Sequence, residues 1–193
     1  MTASDEINQN HAIYISTLEN NLARLDQYGR RQNIEISGIP ESIKDSNLEN
    51  IVIDILKKIG LPHIEHYDIV GCHRLGKRDR FGSRNTIVRF VNRKAAAKCL
   101  QNKKLLSRCK EMGFYHLYIM ENLCPSYKSI LDSMFNLKNE GRAKNVWTSN
   151  GVVHFKYTDN PSERAKKVFH KKDIDIFFVD HDGKNKNIAS GNM

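Results

Sequence analysis

The segment from Ser46 to Pro62 constrains the fold more than any other part of the chain. Ser46-x-x-Glu49 has the form of a capping box, in which two side chains satisfy N–H groups that a helix start leaves without partners. Leu48, Ile51, Ile55 and Ile59 then recur at helical spacing, and Gly60 followed by Pro62 stops the helix. A helix with one apolar stripe must bury it against something, and the neighbouring segments predict a sheet. Asn33-Ile34-Glu35-Ile36-Ser37-Gly38 alternates apolar and polar residues and is closed by Gly38 and Pro40, the pattern of a half-buried strand. Tyr67 to Leu75 predicts a second strand, and Gly76 to Arg84 a basic loop with two glycines. Asn85 to Val91 predicts a third, with Thr86, Val88 and Phe90 on one face and Ile87, Arg89 and Val91 on the other. Asn92 is placed to cap a helix from Arg93 to about Leu106 that buries Ala96, Cys99 and Leu100. Tyr115 to Met120 predicts a fourth strand.

The order βαββαβ over residues 30–121 is the split βαβ, or ferredoxin-like, arrangement: four antiparallel strands with two helices on one face and the other face open. A second, smaller α/β unit is expected over 122–180. Pro125 suits the first turn of a helix to about Glu140, with Tyr127, Ile130, Leu131, Met134 and Leu137 on its apolar side and Gly141 as its stop. Asn150-Gly151 between Val146–Ser149 and Val152–Phe155 is a strong hairpin signal and sets Trp147 opposite His154. Residues 160–172 suit a strand or a helix equally, and Asp173 is placed to cap a short piece burying Ile174, Phe177 and Phe178. The polar tail 181–193 is expected to be disordered. The fold class is therefore α+β.

In front of these units, residues 1–10 look frayed, and Ile15, Leu18, Leu22 and Leu25 fall at the 3-4-3 spacing of a coiled-coil seam about two heptads long. Such a helix is marginal alone. It is either the stub of an oligomerising stalk or a helix packed on the domain behind it.

Charge narrows the class of partner. The 193 residues carry a net +9, unevenly spread. Residues 66–121 hold thirteen basic residues against four acidic ones, whereas residues 1–29 hold one against four. Arg74, Lys77, Arg78, Arg80, Arg84, Arg89, Arg93 and Lys94 are opposed within their run only by Asp79. That density beside strands points to a polyanion. No apolar run approaches the roughly 20 residues of a membrane span, and the polar N-terminus has no apolar signal core. Cys72, Cys99, Cys109 and Cys124 form no CxxC pair, so reduced thiols in an intracellular, cytoplasmic or nuclear protein are expected. The motifs GxSxG, GxxxxGKS, GxGxxG and HExxH are absent, which favours a non-enzymatic role without cofactor. His63-x-Glu65-His66 and Cys72-His73 fit no common zinc spacing, so no metal site is assigned.

Several motifs carry a likeness to a known family. Arg30-Arg31-x-Asn33-Ile34-x-Ile36-x-Gly38-Ile39-Pro40-Glu41, His73-Arg74-Leu75-Gly76, Asn85-Thr86-Ile87-Val88-Arg89-Phe90 and Glu121-Asn122-Leu123-Cys124-Pro125 occur in that order. Together they resemble the RNA-recognition domain, and its junction with a C-terminal domain, in the first-open-reading-frame proteins of LINE-type retrotransposons. The same stretch is similar to the baculovirus few-polyhedra proteins. The resemblance implies an atypical RRM followed by a small α/β domain, with single-stranded RNA held in the groove between them. It also implies a coiled-coil trimer and chaperoning of nucleic acid rather than catalysis. By motif position it makes Arg74, the basic loop through Arg84, and Arg89 the phosphate contacts.

The chain departs from that family in its much shorter coiled segment. It also departs from ordinary RRMs, which stack bases on aromatics of the first and third strands; the outward candidates here are Glu35, Ser37 and Arg89. Binding is thus expected to rest on phosphate electrostatics and to tolerate sequence. Tyr127 and Trp147 could add stacking, although core packing is the simpler role for both. The candidate nucleic-acid-binding residues are Arg30, Arg31, Arg74, Lys77, Arg78, Arg80, Arg84, Arg89, Arg93, Tyr127 and Lys128. The partners expected are single-stranded RNA, DNA being the other nucleic acid to consider, and further copies of the chain through Ile15, Leu18, Leu22 and Leu25. The rival expectation is a viral or host protein-interaction module whose basic surface meets acidic protein patches or membranes.

Overall fold

The computed structural model describes residues 3–76 and 83–178. Its fold is α+β and divides into two compact units, Gly29–Asn122 and residues 1–28 together with 123–193.

The first unit begins with a 3-10 turn, Arg30–Gln32, and runs β1 Asn33–Ser37, α2 Asp45–Lys58, β2 Ile69–Leu75, β3 Asn85–Phe90, α3 Arg93–Asn102, and β4 Tyr118–Glu121. The strands form one antiparallel sheet in the order β2-β3-β1-β4, which is the ferredoxin-like order. Ile34, Ile36, Val88, Phe90 and Ile119 point inward onto Leu48, Val52, Ile55, Leu56, Ala96 and Cys99, so both helices cover the same face. Gly38 closes β1 with φ 89°, and a side chain there would collide with the His116 carbonyl.

Three local expectations are corrected. Ser46 and Glu49 form no capping box: α2 starts at Asp45 with Lys44 at its N-cap and no side-chain cap. Glu49 instead lies 2.6 Å from His66 Nδ1, while the Asp45 carboxylate is drawn to Arg74. The helix after Asn92 is α-helical only to Asn102 and continues as a 3-10 helix over Lys103–Met112, ending at Gly113 with φ 83°. This displaces the start of β4 from Tyr115 to Tyr118. The Asn92 cap forms as expected, accepting from the Lys94 N–H at 2.8 Å.

The second unit holds α1 Ala3–Gly29, α4 Pro125–Asn139, a hairpin of β5 Asn145–Ser149 and β6 Val152–Lys156, β7 Lys166–Val168, and a helix α5 over 171–178. Asn150 and Gly151, with φ 55° and 75°, make the tight turn that Asn-Gly favours. Within 160–172 only Lys166–Val168 is strand, β7 pairing antiparallel with β6, and residues 171–172 already belong to α5. Asp173 sits inside α5 and caps it from there, accepting from the N–H groups of Phe169 and His170 at 2.8 and 3.0 Å. Ile130, Met134, Val146, Val153, Phe155, Val168 and Phe178 form the core.

The N-terminus is also corrected. Of residues 1–10, expected to be frayed, 3–10 are helical, because no Gly or Pro interrupts the run and Asp5 and Glu6 complement the helix dipole in its first turn. This helix is not set apart as a segment of 1–29: residues 1–28 cluster with 123–193, and its C-terminal turns are tied to that unit at Ala23 and Gln27. Gln27 Oε1 accepts from the Cys124 N–H at 2.8 Å, and Cys124 Sγ donates to the Ala23 carbonyl at 3.7 Å. The seam of Ile15, Leu18, Leu22 and Leu25 lies at other positions, each side chain more than half exposed. The expected tail, 181–193, lies outside the described residues. Among the described residues no helix is long and apolar enough to cross a membrane.

Candidate nucleic-acid interface

Because α2 and α3 share one face of the first sheet, the other face is open within its unit among the described residues. Strand pairing specifies what that face displays. Asn33 lies beside Arg89, which in turn lies beside Gly71; Glu35 lies between Met120 and Ile87, with His73 beyond; Ser37 lies beside Tyr118. Arg89, His73 and Tyr118 are exposed. Arg30 and Arg31 precede β1 and Arg93 opens α3, so they belong to the rim at the Arg89 end of the sheet. Arg31 and Arg93 are exposed, whereas Arg30 is half-buried and donates to Asn122 Oδ1 at 3.2 Å.

Asn122 extends this polar row. Its Nδ2 donates to Glu35 Oε1 at 2.6 Å, its Oδ1 accepts from Asn33 at 3.3 Å, and Asn85 donates to Glu35 Oε2 at 3.2 Å. The carboxylate at the centre of the open face is thereby held by two amides. An anionic chain crossing there meets a negative charge, so phosphates are favoured at the arginine rim and disfavoured beside Glu35.

Two expected phosphate contacts have other tasks. Arg74 pairs across from Thr86, which is fully buried, and so projects to the inner face; its side chain is 1% exposed. Its guanidinium donates to the carbonyls of Ile39 at 3.0 Å, Pro40 at 2.7 Å and Ile43 at 3.3 Å. It also lies 3.6 Å from Glu41 and 3.4 Å from Asp45. Arg74 therefore ties the β1–α2 connection to β2. Arg84 forks onto Glu41, its Nε and Nη2 donating at 3.1 Å, while its backbone N–H donates to the same carboxylate at 2.8 Å. Those bonds from Arg84, aided by the Arg74 charge, hold the Glu41 carboxyl at about 2 instead of 4.5. The basic loop residues Lys77, Arg78 and Arg80 lie outside the described residues.

In the second unit Tyr127 is buried in the inner side of α4, so it has no face for a base, while Lys128 is exposed. Trp147 is corrected in the opposite sense. It is 36% exposed, not part of the core, and stacks on His154 across the hairpin with ring centroids 5.6 Å apart and planes 17° apart. Two exposed rings on the first sheet escaped sequence reasoning. The sequence offers His73 only as part of the His73-Arg74-Leu75-Gly76 motif and of a declined metal pairing, and Tyr118 only inside a strand with a different start; alternation along β2 and β4 is the signal available for both.

Burial pushes the Cys72 and Cys99 thiols up to about 12 and raises Cys109 as well, so none of these three is an activated nucleophile. No protein-family model matches this chain, and no curated protein is similar to it.

Proposed function

We propose that this protein binds single-stranded nucleic acid, RNA in the first instance, as a non-enzymatic and sequence-tolerant factor. The observation that supports the reading best is the open face of the four-stranded sheet, with Arg89 on it, Arg31 and Arg93 at its rim, and the rings of His73 and Tyr118 further along. Arginines position a phosphate backbone, and exposed rings accept bases without selecting among them. The likeness to first-open-reading-frame proteins of LINE-type elements agrees with this reading. Self-association through the α1 seam belongs to the same proposal, since four exposed aliphatic side chains at coiled-coil spacing are suited to a second copy of the helix.

The test is filter binding of single-stranded RNA across a salt series. Reversing Arg31, Arg89 and Arg93 together to Glu should weaken binding strongly at moderate salt with the circular dichroism spectrum unchanged. Single replacements by Ala should each lower the slope of log K against log salt by roughly 0.7. Wild-type affinity in the triple variant overturns the reading. Retention of a protein partner with no RNA binding at micromolar concentration favours the interaction-module alternative.

A further inference from the structure

We infer a second site for single-stranded nucleic acid, a base-stacking platform on the three-stranded sheet of the second unit, with Trp147 as its stacking ring. The inference rests on the nucleic-acid reading above and adds to it a surface that is separate in sequence and in fold.

Within its unit, the sheet turns one face to the core, and the other carries residues that are exposed among those described. Val146, Val153, Phe155 and Val168 point into the core. The alternate positions point the other way, and strand pairing sets Trp147, His154 and Lys167 in one row across all three strands. The near-parallel Trp147–His154 stack braces the indole from its cross-strand side, so an incoming base meets a ring already held in place. Phe169, two residues after Lys167, is also exposed.

Charge identifies the occupant. Residues 142–172 hold eight Lys and Arg against two acidic residues, Asp159 and Glu163. Both acids have local tasks: Asp159 pairs with Lys144 at 3.3 Å, and Glu163 accepts from the backbone N–H groups of Tyr157 and Thr158. Lys167, exposed and adjacent to the stack, is left as a phosphate partner. Lysines are depleted in the centres of protein–protein interfaces. A stacking ring beside a lysine is a combination that single-strand-binding grooves use.

Trp147 is the single tryptophan of the chain, so intrinsic fluorescence reports this position alone. Oligouridine is titrated into the full chain while its anisotropy and the tryptophan emission are followed together, with inorganic polyphosphate as a polyanion that has no bases. The expected result is quenching of Trp147 in step with oligouridine binding, and none with polyphosphate. W147A should weaken oligouridine binding by roughly 5- to 150-fold, the loss of one stacked base, whereas W147F should stay close to wild type; circular dichroism reports whether each variant folds. Binding without quenching, equal quenching by polyphosphate, or wild-type affinity in folded W147A overturns the platform and leaves the reading of the first sheet standing. Absence of any oligouridine binding overturns both.

Discussion

Arg74 separates charge as composition from charge as placement. It belongs to the densest basic run of the chain, yet it spends three donors on backbone carbonyls inside the first unit. Replacing it by Ala leaves those carbonyls without their donor, and should cost about 3 kcal/mol or more in urea denaturation. A fall below 1 kcal/mol would mean that the arginine behaves as a surface charge. The Glu41–Arg84 fork leads to a pH effect with a definite sign. The folded state holds Glu41 at about 2 against 4.5 for the free side chain, so unfolding takes up a proton between those values. The stabilisation is complete above pH 4.5 and is lost as pH falls toward 2. Melting temperatures over that range should therefore fall less steeply in E41Q than in the wild type; parallel curves would refute the assignment. Neither role was legible from the run of arginines. The facing residue of Arg74 depends on the register past the irregularity between Ile69 and Gly71, and the partner of Arg84 lies 43 residues away.

At the scale of elements, local signals succeeded where the deciding contact was local. Asn92 caps α3, Asn150-Gly151 turns the hairpin, and the alternation in 85–90 matches the buried and exposed faces of β3, because each depends on a few adjacent residues. The capping box at Ser46 failed because Glu49 and Asp45 are claimed by His66 and Arg74, partners from distant segments. Helix α1 combines both cases. Its coiled-coil seam was legible, but its tie to its own unit was not, since Ala23 and Gln27, which meet Cys124, carry no hydrophobic signal. That division leaves the seam available. Glu substitutions at Leu18 and Leu22 should leave melting nearly unchanged, as both side chains are exposed, and should convert a concentration-dependent oligomer into a monomer in sedimentation velocity. A wild-type chain that stays monomeric at tens of micromolar would remove self-association from the proposal.

For the whole molecule, the basic excess reaches two sheets of different construction. The first offers arginines at the rim of a face whose centre holds Glu35. The second offers a stacked tryptophan beside lysine. A strand that engages both surfaces binds the second at the effective concentration set by the first, whereas a strand that engages one gains nothing from the other. The two arrangements predict different length dependence. On oligouridines too short to bridge, R89E and W147A should each remove the contribution of one surface and leave the other, so neither variant abolishes binding. On long oligouridine, either variant should forfeit the avidity term, and each should lose more affinity than it loses on the short strand. Measuring both variants against both lengths by anisotropy decides the matter. Equal losses at the two lengths would show that the surfaces act on separate strands, and a loss confined to R89E would assign all binding to the four-stranded sheet.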